Sequence, residues 1–155
     1  MNSHRNIYIA VVDDDESLCR SMSRLLRASN LQAITYASAE AFLADTKRPR
    51  FDCLVLDIQL EGMSGLELSQ RLSAVRDTTP VIFITAHDDP LMRAQAEASG
   101  CAGYFRKTDS GADVLAAIHR AISLAPAYLA ERDMEAANGC GWWVGRLIRM
   151  QCERS

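Results

Sequence analysis

Five short apolar segments, each followed by a stretch of helical periodicity, constrain the fold of this chain more than any other feature. The apolar segments are rich in β-branched residues, which favour strands, and consecutive segments are separated by enough chain for one helix. The predicted strands cover residues 7–12, 32–36, 54–57, 81–84 and 102–105. This alternation predicts a single parallel sheet covered by helices on both faces, with right-handed crossovers.

The third predicted strand, Leu54-Val55-Leu56-Asp57, is apolar until it ends on a carboxylate. Such a run is typical of a strand that is buried on both faces in the middle of a parallel sheet. Asp57 then falls at the carboxyl edge of the sheet, where ligands bind in open α/β folds. Taken alone, Asp57 could also cap a helix or a turn, so its interpretation depends on the ends of the other strands.

Polar side chains follow the other predicted strands where each one ends. They are Asp13 and Asp14 after the first strand, Thr85 after the fourth and Lys107 after the fifth. Each has a simpler interpretation: the acidic run 13–16 complements the dipole of the next helix, Thr85 caps a turn, and Lys107 is a solvated lysine. In a parallel sheet, however, all of these strand ends open onto one edge.

Three carboxylates that converge would repel one another strongly unless a cation lies among them. Oxygen ligands select a hard cation, so Asp13, Asp14 and Asp57 together predict Mg²⁺. The hydroxyl of Thr85 and the ammonium of Lys107 would suit the oxygens of a phosphoryl group. The sequence therefore predicts Mg²⁺-assisted phosphoryl transfer to an aspartate nucleophile, which gives an acyl phosphate. A Gly-rich phosphate loop is missing, which argues against a P-loop nucleotide-binding protein.

Composition narrows the function classes further. A length of 155 residues is typical of one domain, and a net charge of −3 gives no reason to expect direct nucleic-acid binding. The five cysteines are odd in number and lack Cys-x-x-Cys spacing, as expected for buried thiols in a reducing cytosol. No apolar run approaches the roughly 20 residues that span a bilayer. We therefore expect a cytoplasmic protein without a membrane segment.

Five motifs, VVDDD, LVLD, GMSG, VIFITAHDD and GYFRK, occur in the order and at the spacing of the receiver domains of two-component response regulators. The chain resembles the CheY-like chemotaxis receiver. It is more similar to the FixJ-type receivers, which also carry a Thr followed two residues later by His after the fourth strand. The resemblance covers residues 5–125. It implies a flavodoxin-like (βα)5 fold, a three-layer sandwich whose parallel five-stranded sheet has the order 2-1-3-4-5.

The resemblance also implies the chemistry of the site. A partner histidine kinase would transfer a phosphoryl group to Asp57. Asp14 would bind Mg²⁺ directly, Asp13 would lie nearby and often act through water, and the backbone carbonyl of Gln59 would complete the protein ligands.

The same family pattern implies a switch. Thr85 would donate its hydroxyl to a phosphoryl oxygen, and Lys107 would form an ion pair with the same group. Tyr104 matches the switch aromatic, which moves inward when Thr85 is drawn toward the phosphate. The output surface would be the fourth helix, the fifth strand and the last helix, through which such domains often form homodimers. Judged by its strand alone, Tyr104 would be a half-buried packing residue, and we expect His87 to be a solvent-facing loop residue.

Two features depart from the family pattern. The fifth strand is usually followed by Lys-Pro with a cis bond, whereas Lys107 is followed by Thr108. A cis bond before a residue other than proline costs about 3 kcal/mol, so we expect a trans or a strained loop. Residues 126–155 form a C-terminal extension, predicted as a helix over 127–137 and then an irregular tail with Trp142 and Trp143. It has no recognisable output domain, so the chain is either a stand-alone receiver or part of a longer protein.

Three functions are compatible with these residues. The favoured one is a phosphorylatable receiver that is not an enzyme in the usual sense, although it assists its own phosphorylation and dephosphorylation. The second is a pseudo-receiver, an interaction module that works without phosphate. The third is a Mg²⁺-dependent phosphohydrolase. The third would need a carboxylate two residues after the nucleophile as general acid, and Gln59 occupies that position.

Overall fold

The structure, a computed structural model, describes residues 5–125. Ten elements alternate along this part of the chain. The strands are β1 (Tyr8–Val12), β2 (Gln32–Tyr36), β3 (Cys53–Asp57), β4 (Val81–Thr85) and β5 (Gly103–Arg106). The helices are α1 (Glu16–Ala28), α2 (Ala39–Ala44), α3 (Gly65–Ala74), α4 (Pro90–Ala98) and α5 (Gly111–Leu124).

The five strands form one parallel sheet in the order β2-β1-β3-β4-β5, which confirms the predicted fold class. The uninterrupted apolar strand β3 is central and buried along its whole length, as its sequence predicts. Val12 pairs with Leu56, and Asp57 pairs with Ile84. This register brings the carboxyl ends of β1, β3 and β4 to the same edge of the sheet.

The sheet separates two hydrophobic cores, because successive side chains of a strand point to opposite faces. Ile9 and Val11 of β1 lie in the core shared with α1 and α5. Ala10 and Val12 lie in the core that includes residues of α2, α3 and α4. This double burial explains why β1, β3 and β4 are apolar along almost their whole length, whereas a strand with one wet face would alternate.

Capping side chains set the starts of the helices. Asp15 is the N-cap of α1, where it accepts hydrogen bonds from the N–H groups of Ser17 and Leu18. Ser38 and Ser64 cap α2 and α3, where their side chains accept hydrogen bonds from the N–H groups of Ala41 and Glu67. Because Asp15 alone caps α1, the preceding carboxylates of Asp13 and Asp14 are left for another role.

Two details differ from the sequence prediction. The helical spacing of Leu68, Leu72 and Val75 in the sequence predicts an apolar stripe on α3, but Val75 is the C-cap residue and is 74% exposed. Strand β5 begins and ends one residue later than predicted, so Arg106 belongs to the strand.

The predicted helix 127–137 and the Trp142–Trp143 tail lie outside the described residues, and the domain limits remain a prediction. None of the helices within residues 5–125 is long and apolar enough to cross a membrane.

Candidate functional site

Three carboxylates meet at the carboxyl edge of the sheet. Asp13 directly follows β1, Asp14 is the next residue, and Asp57 is the last residue of β3. One carboxylate oxygen from each lies within 4.8 Å of the other two. Asp13 and Asp57 are each only 2% exposed, whereas Asp14 reaches solvent. The structure thus brings together the carboxylates that the strand ends predicted.

Lys107 supplies the positive charge of this group. Its Nζ lies 3.1 Å from Oδ1 and Oδ2 of Asp13 and 3.1 Å from Oδ2 of Asp57. Its backbone N–H donates to the carbonyl of Thr85, which extends the pairing of β4 and β5. Burial alone would lower the pKa of Lys107, but hydrogen bonding to Asp13 and Asp57 and their charges raise it above the ordinary lysine value. We call Asp13, Asp14, Asp57 and Lys107 the acidic pocket.

The loop after Lys107 takes the trans form. No peptide bond within residues 5–125 is cis, so the bond between Lys107 and Thr108 is trans. Asp109 closes this loop, because its Oδ2 accepts a hydrogen bond from the N–H of Arg106 at 2.8 Å. Lys107 therefore reaches both carboxylates without the proline that the family pattern usually has.

Asp13 is the member of the pocket whose environment most favours a cation. Its Oδ1 accepts a hydrogen bond from the N–H of Asp15 at 2.9 Å, while its buried Oδ2 accepts no hydrogen bond from residues 5–125 and is balanced by the ammonium of Lys107, 3.1 Å away. Burial raises the pKa of Asp13 to about 6, and the charge of Asp57 adds to this, against the lowering effects of the Asp15 N–H and Lys107. A buried carboxylate oxygen without a hydrogen bond, next to two further carboxylates, fits a hard divalent cation such as Mg²⁺.

Gln59 lies beside the nucleophile candidate as predicted. Its backbone N–H donates to Oδ1 of Asp57 at 3.0 Å, and its side chain is exposed. Its carbonyl, the predicted metal ligand, accepts no hydrogen bond from any residue in the range 5–125. The carbonyl is thus available to a ligand, and its role stays a prediction.

Thr85 is fully buried, but its hydroxyl bonds to its own loop. The Oγ1 donates to the carbonyl of His87 at 2.8 Å and accepts from the N–H of His87 at 3.2 Å. The side chain of His87 is exposed, in agreement with the sequence prediction. To donate to a phosphoryl oxygen, the hydroxyl of Thr85 would have to give up its bond to the His87 carbonyl.

Tyr104 makes polar contacts on the outer surface of the β4–α4 region. Its hydroxyl donates to Oδ1 of Asp88 at 3.3 Å, and the guanidinium of Arg93 lies 5.1 Å from the ring centroid. Arg93 also pairs with Oδ2 of Asp88 at 3.4 Å and with Glu97. We call Asp88, Arg93 and Tyr104 the Tyr104 cluster. Partial burial raises the pKa of Tyr104, and the charge of Asp88 raises it further.

Sequence reasoning missed three residues that contact the site or its surroundings. The sequence analysis gave no role to Asp88 and Arg93, which meet at Tyr104. It also gave none to Glu40, which accepts a hydrogen bond from the loop that follows Asp57. Asp88 lies within the VIFITAHDD motif, but no periodicity or motif indicates the partners of these three residues, because the backbone path decides which groups their side chains meet.

The fold and the converging carboxylates are those of a two-component receiver domain. A model of the response regulator receiver domain family matches residues 9–119. The chain belongs to this family.

Similar proteins come from several bacteria. The chain is 36% identical over 126 residues to the response regulator protein TmoT of Ectopseudomonas mendocina, covering 81% of this chain and 57% of TmoT. It is 33% identical over 130 residues to the transcriptional regulatory protein FixJ of Rhizobium meliloti, covering 84% of this chain and 63% of FixJ. A solved receiver protein from Burkholderia phymatum is 38% identical, with a TM-score of 0.67 over 77% of this chain and 98% of that chain. This chain therefore spans less than two thirds of TmoT and of FixJ.

Proposed function

We propose that this chain accepts a phosphoryl group on Asp57 from a partner histidine kinase, with Mg²⁺ as cofactor, and changes its α4–β5–α5 face in response. The observation that carries the proposal is the ammonium of Lys107, 3.1 Å from both Asp13 and Asp57, beside a third carboxylate. A nucleophilic oxygen, a fixed positive charge and a set of hard oxygen ligands are the groups that phosphoryl transfer needs.

In this reaction a carboxylate oxygen of Asp57 forms a bond to phosphorus while the bond between phosphorus and the donor imidazole nitrogen breaks. The electron pair of the broken bond leaves with that nitrogen. Lys107 neutralises charge on the oxygens next to the reacting atoms, and the Gln59 N–H orients the Asp57 carboxylate. Asp13, Asp14, Asp57 and the carbonyl of Gln59 would hold Mg²⁺, which when bound neutralises charge on the carboxylates and on the phosphoryl oxygens.

The response would begin at Thr85. Its hydroxyl exchanges the carbonyl of His87 for a phosphoryl oxygen. The β4–α4 loop then moves, because the carbonyl that the hydroxyl releases belongs to His87 in this loop. The Tyr104 cluster shares this loop through Asp88, so the ring of Tyr104 is released from its outer position. A repacked α4–β5–α5 face would then favour a homodimer or another protein partner.

Two other functions have less support. A phosphohydrolase would need a general acid near Asp57, and Gln59 offers an amide instead. A pseudo-receiver would be favoured by a displaced Lys107, but its ammonium contacts both carboxylates. We therefore propose a switch protein whose only catalysis is its own phosphorylation and dephosphorylation. A cytoplasmic location and an output through protein contact, without direct nucleic-acid binding by residues 5–125, are part of this proposal.

Acyl phosphate formation tests the proposal directly. The purified chain is incubated with acetyl phosphate, with and without Mg²⁺, and its intact mass and sedimentation are measured. We expect a gain of one phosphoryl group that requires Mg²⁺ and is lost in Asp57→Asn but kept in Asp113→Asn, an exposed carboxylate on α5. A folded wild-type chain that gains nothing would favour the pseudo-receiver. A labelled Asp57→Asn chain would show that the nucleophile is another residue.

A further inference from the structure

The loop between β3 and α3 carries Gln59 and is held at both of its ends. At the start, the Gln59 N–H donates to the Asp57 carboxylate at 3.0 Å. At the end, the N–H of Gly65 donates to the carbonyl of Ile58 at 3.2 Å, and a Cβ on Gly65 would lie 2.2 Å from the carbonyl oxygen of Asp57. The loop thus closes tightly on itself, which leaves its middle as the part that can move.

Glu40 holds the middle of this loop from a different helix. The Met63 N–H donates to Oε1 of Glu40 at 3.0 Å and is 3.4 Å from Oε2. The neighbouring Gly62 has φ +76°, and a Cβ there would lie 2.8 Å from Oε2 of Glu40. The loop therefore has a glycine where the carboxylate needs space. In the described part of the chain, no other side chain from outside the β3–α3 segment hydrogen-bonds to residues 59–64.

We propose that Glu40 is a positioning residue of the metal site: its carboxylate holds the Met63 N–H and thereby fixes the loop that presents the Gln59 carbonyl. This inference rests on the proposed function, which assigns that carbonyl to Mg²⁺. Residues that orient metal ligands in this way typically change metal affinity about 10- to 100-fold when they are replaced.

A purely electrostatic role for Glu40 makes a different prediction. Glu40 lies in the first turn of α2, where a negative charge complements the helix dipole. Glu40→Asp keeps the charge but is one methylene too short to reach the Met63 N–H. Glu40→Gln removes the charge but keeps an oxygen at the same reach. If Glu40 acts by positioning, Glu40→Asp should bind Mg²⁺ more weakly than Glu40→Gln. If it acts through its charge, the order should be reversed.

The test is a titration of the ¹⁵N-labelled full chain with MgCl₂, followed by the amide resonances. The proteins are the wild type, Glu40→Asp, Glu40→Gln and the control Glu61→Gln, an exposed charge of the same loop without a partner in the described residues. We expect Glu40→Asp to bind Mg²⁺ about tenfold more weakly, the low end of the usual range because Glu40 is exposed to water. The Mg²⁺ affinities of Glu40→Gln and Glu61→Gln should stay within about threefold of the wild type. Glu40→Gln keeps an oxygen at the contact with Met63, and Glu61 does not make this contact.

The Met63 amide proton gives a second readout, because loss of its hydrogen bond moves its resonance upfield before any Mg²⁺ is added. We expect this shift in Glu40→Asp and not in Glu40→Gln. Wild-type affinity in a Glu40→Asp chain whose Met63 resonance has moved would overturn the inference, as would equal weakening in Glu40→Gln or Glu61→Gln. A wild-type chain that binds no Mg²⁺ at Asp57 would instead overturn the proposed function.

Discussion

The acidic pocket and the Tyr104 cluster are built from the same kinds of side chains but differ in their surroundings. In the pocket, Asp13 and Asp57 are 2% exposed, and one ammonium lies 3.1 Å from both. In the Tyr104 cluster, the side chain of Arg93 is 50% exposed and that of Asp88 is 31% exposed, and they are 3.4 Å apart. Buried charges interact through a lower effective dielectric, whereas exposed ion pairs are screened by water.

This difference in burial suits the acidic pocket to the proposed chemistry and the Tyr104 cluster to the proposed conformational response. Breaking a contact in the pocket leaves a buried charge unpaired, which is costly, so Asp57, the proposed nucleophile, and Lys107 should keep their places until phosphorylation. Exposed ion pairs are worth about 0–1 kcal/mol, so the Tyr104 cluster can rearrange at little cost. Thr85 connects the two regions, because its side chain is buried at the end of β4 while its hydroxyl bonds to the loop that carries Asp88. Under the proposed function, phosphorylation in the acidic pocket would therefore move the β4–α4 loop at the surface.

The largest effect is expected from Lys107→Ala, which removes the positive charge that Asp13 and Asp57 share. In Mg²⁺-free buffer we expect a loss of about 1–3 kcal/mol in the free energy of unfolding, less than for a fully buried pair because Lys107 is partly exposed. The pKa of Lys107 is raised in the folded chain, so this stabilisation is fully present below the ordinary lysine pKa and is lost only as the pH rises through the raised value. Labelling by acetyl phosphate should persist, while the change in assembly is lost.

Urea unfolding, intact mass and sedimentation measure these three quantities. Lys47→Ala is the matched control, because Lys47 is exposed and its side chain makes no hydrogen bond or ion pair within residues 5–125. An unchanged dimer response in labelled Lys107→Ala would mean that the pocket and the output face are not coupled through this lysine.

A smaller effect of opposite sign is expected from Asp13→Asn. The pKa of Asp13 is raised to about 6 by burial, so ionised Asp13 opposes folding above that pH, and this destabilisation is lost as the pH falls through 6. Without Mg²⁺ at pH 7.5, we expect the variant to gain about 1 kcal/mol and to melt about 3 °C higher than the wild type. At pH 4.5 the difference should shrink, because Asp13 is then protonated in the wild type.

Calorimetry at the two pH values measures this gain. Added Mg²⁺ should raise the melting temperature of the wild type and leave that of Asp13→Asn nearly unchanged. Asp113→Asn serves as the control for the loss of an exposed carboxylate. If Asp13→Asn melted lower than the wild type at pH 7.5, the cost of burying the ionised carboxylate would be outweighed by the hydrogen bonds that Asp13 accepts.

These contrasts also show what the sequence could and could not predict. The meeting of Asp13, Asp57 and Lys107 follows from the strand ends, because parallel topology brings them to one edge, whereas the order of the sheet was implied by the family resemblance. The direction of the Thr85 hydroxyl does not follow, since it depends on the path of a loop with several allowed turns. Val75 was misplaced for a related reason: helical periodicity continues past Ala74, but the C-cap turns that side chain into solvent.

Glu40 is the most instructive omission. Its position in the first turn of α2 already has a sufficient local explanation in the helix dipole, so nothing in the sequence asks for a second role. Its contact with Met63 joins residues 23 positions apart, and only the packing of α2 beside the β3–α3 loop creates it. Contacts of this kind, from an exposed side chain to a distant backbone N–H, leave no periodic signal.

The smallest effect on stability is expected from Arg93→Ala. The ion pairs of Arg93 are exposed, so the free energy of unfolding should change by less than about 0.5 kcal/mol, similar to the control Arg71→Ala. The ring of Tyr104 should nevertheless respond, because it loses the guanidinium that lies 5.1 Å from its centroid. Aromatic ¹H–¹³C spectra should show Tyr104 shifted toward its position in the phosphorylated chain. An unmoved ring would mean that Arg93 is not what holds Tyr104 outward. A loss above about 2 kcal/mol in the free energy of unfolding would mean that the two regions differ less than their burial suggests.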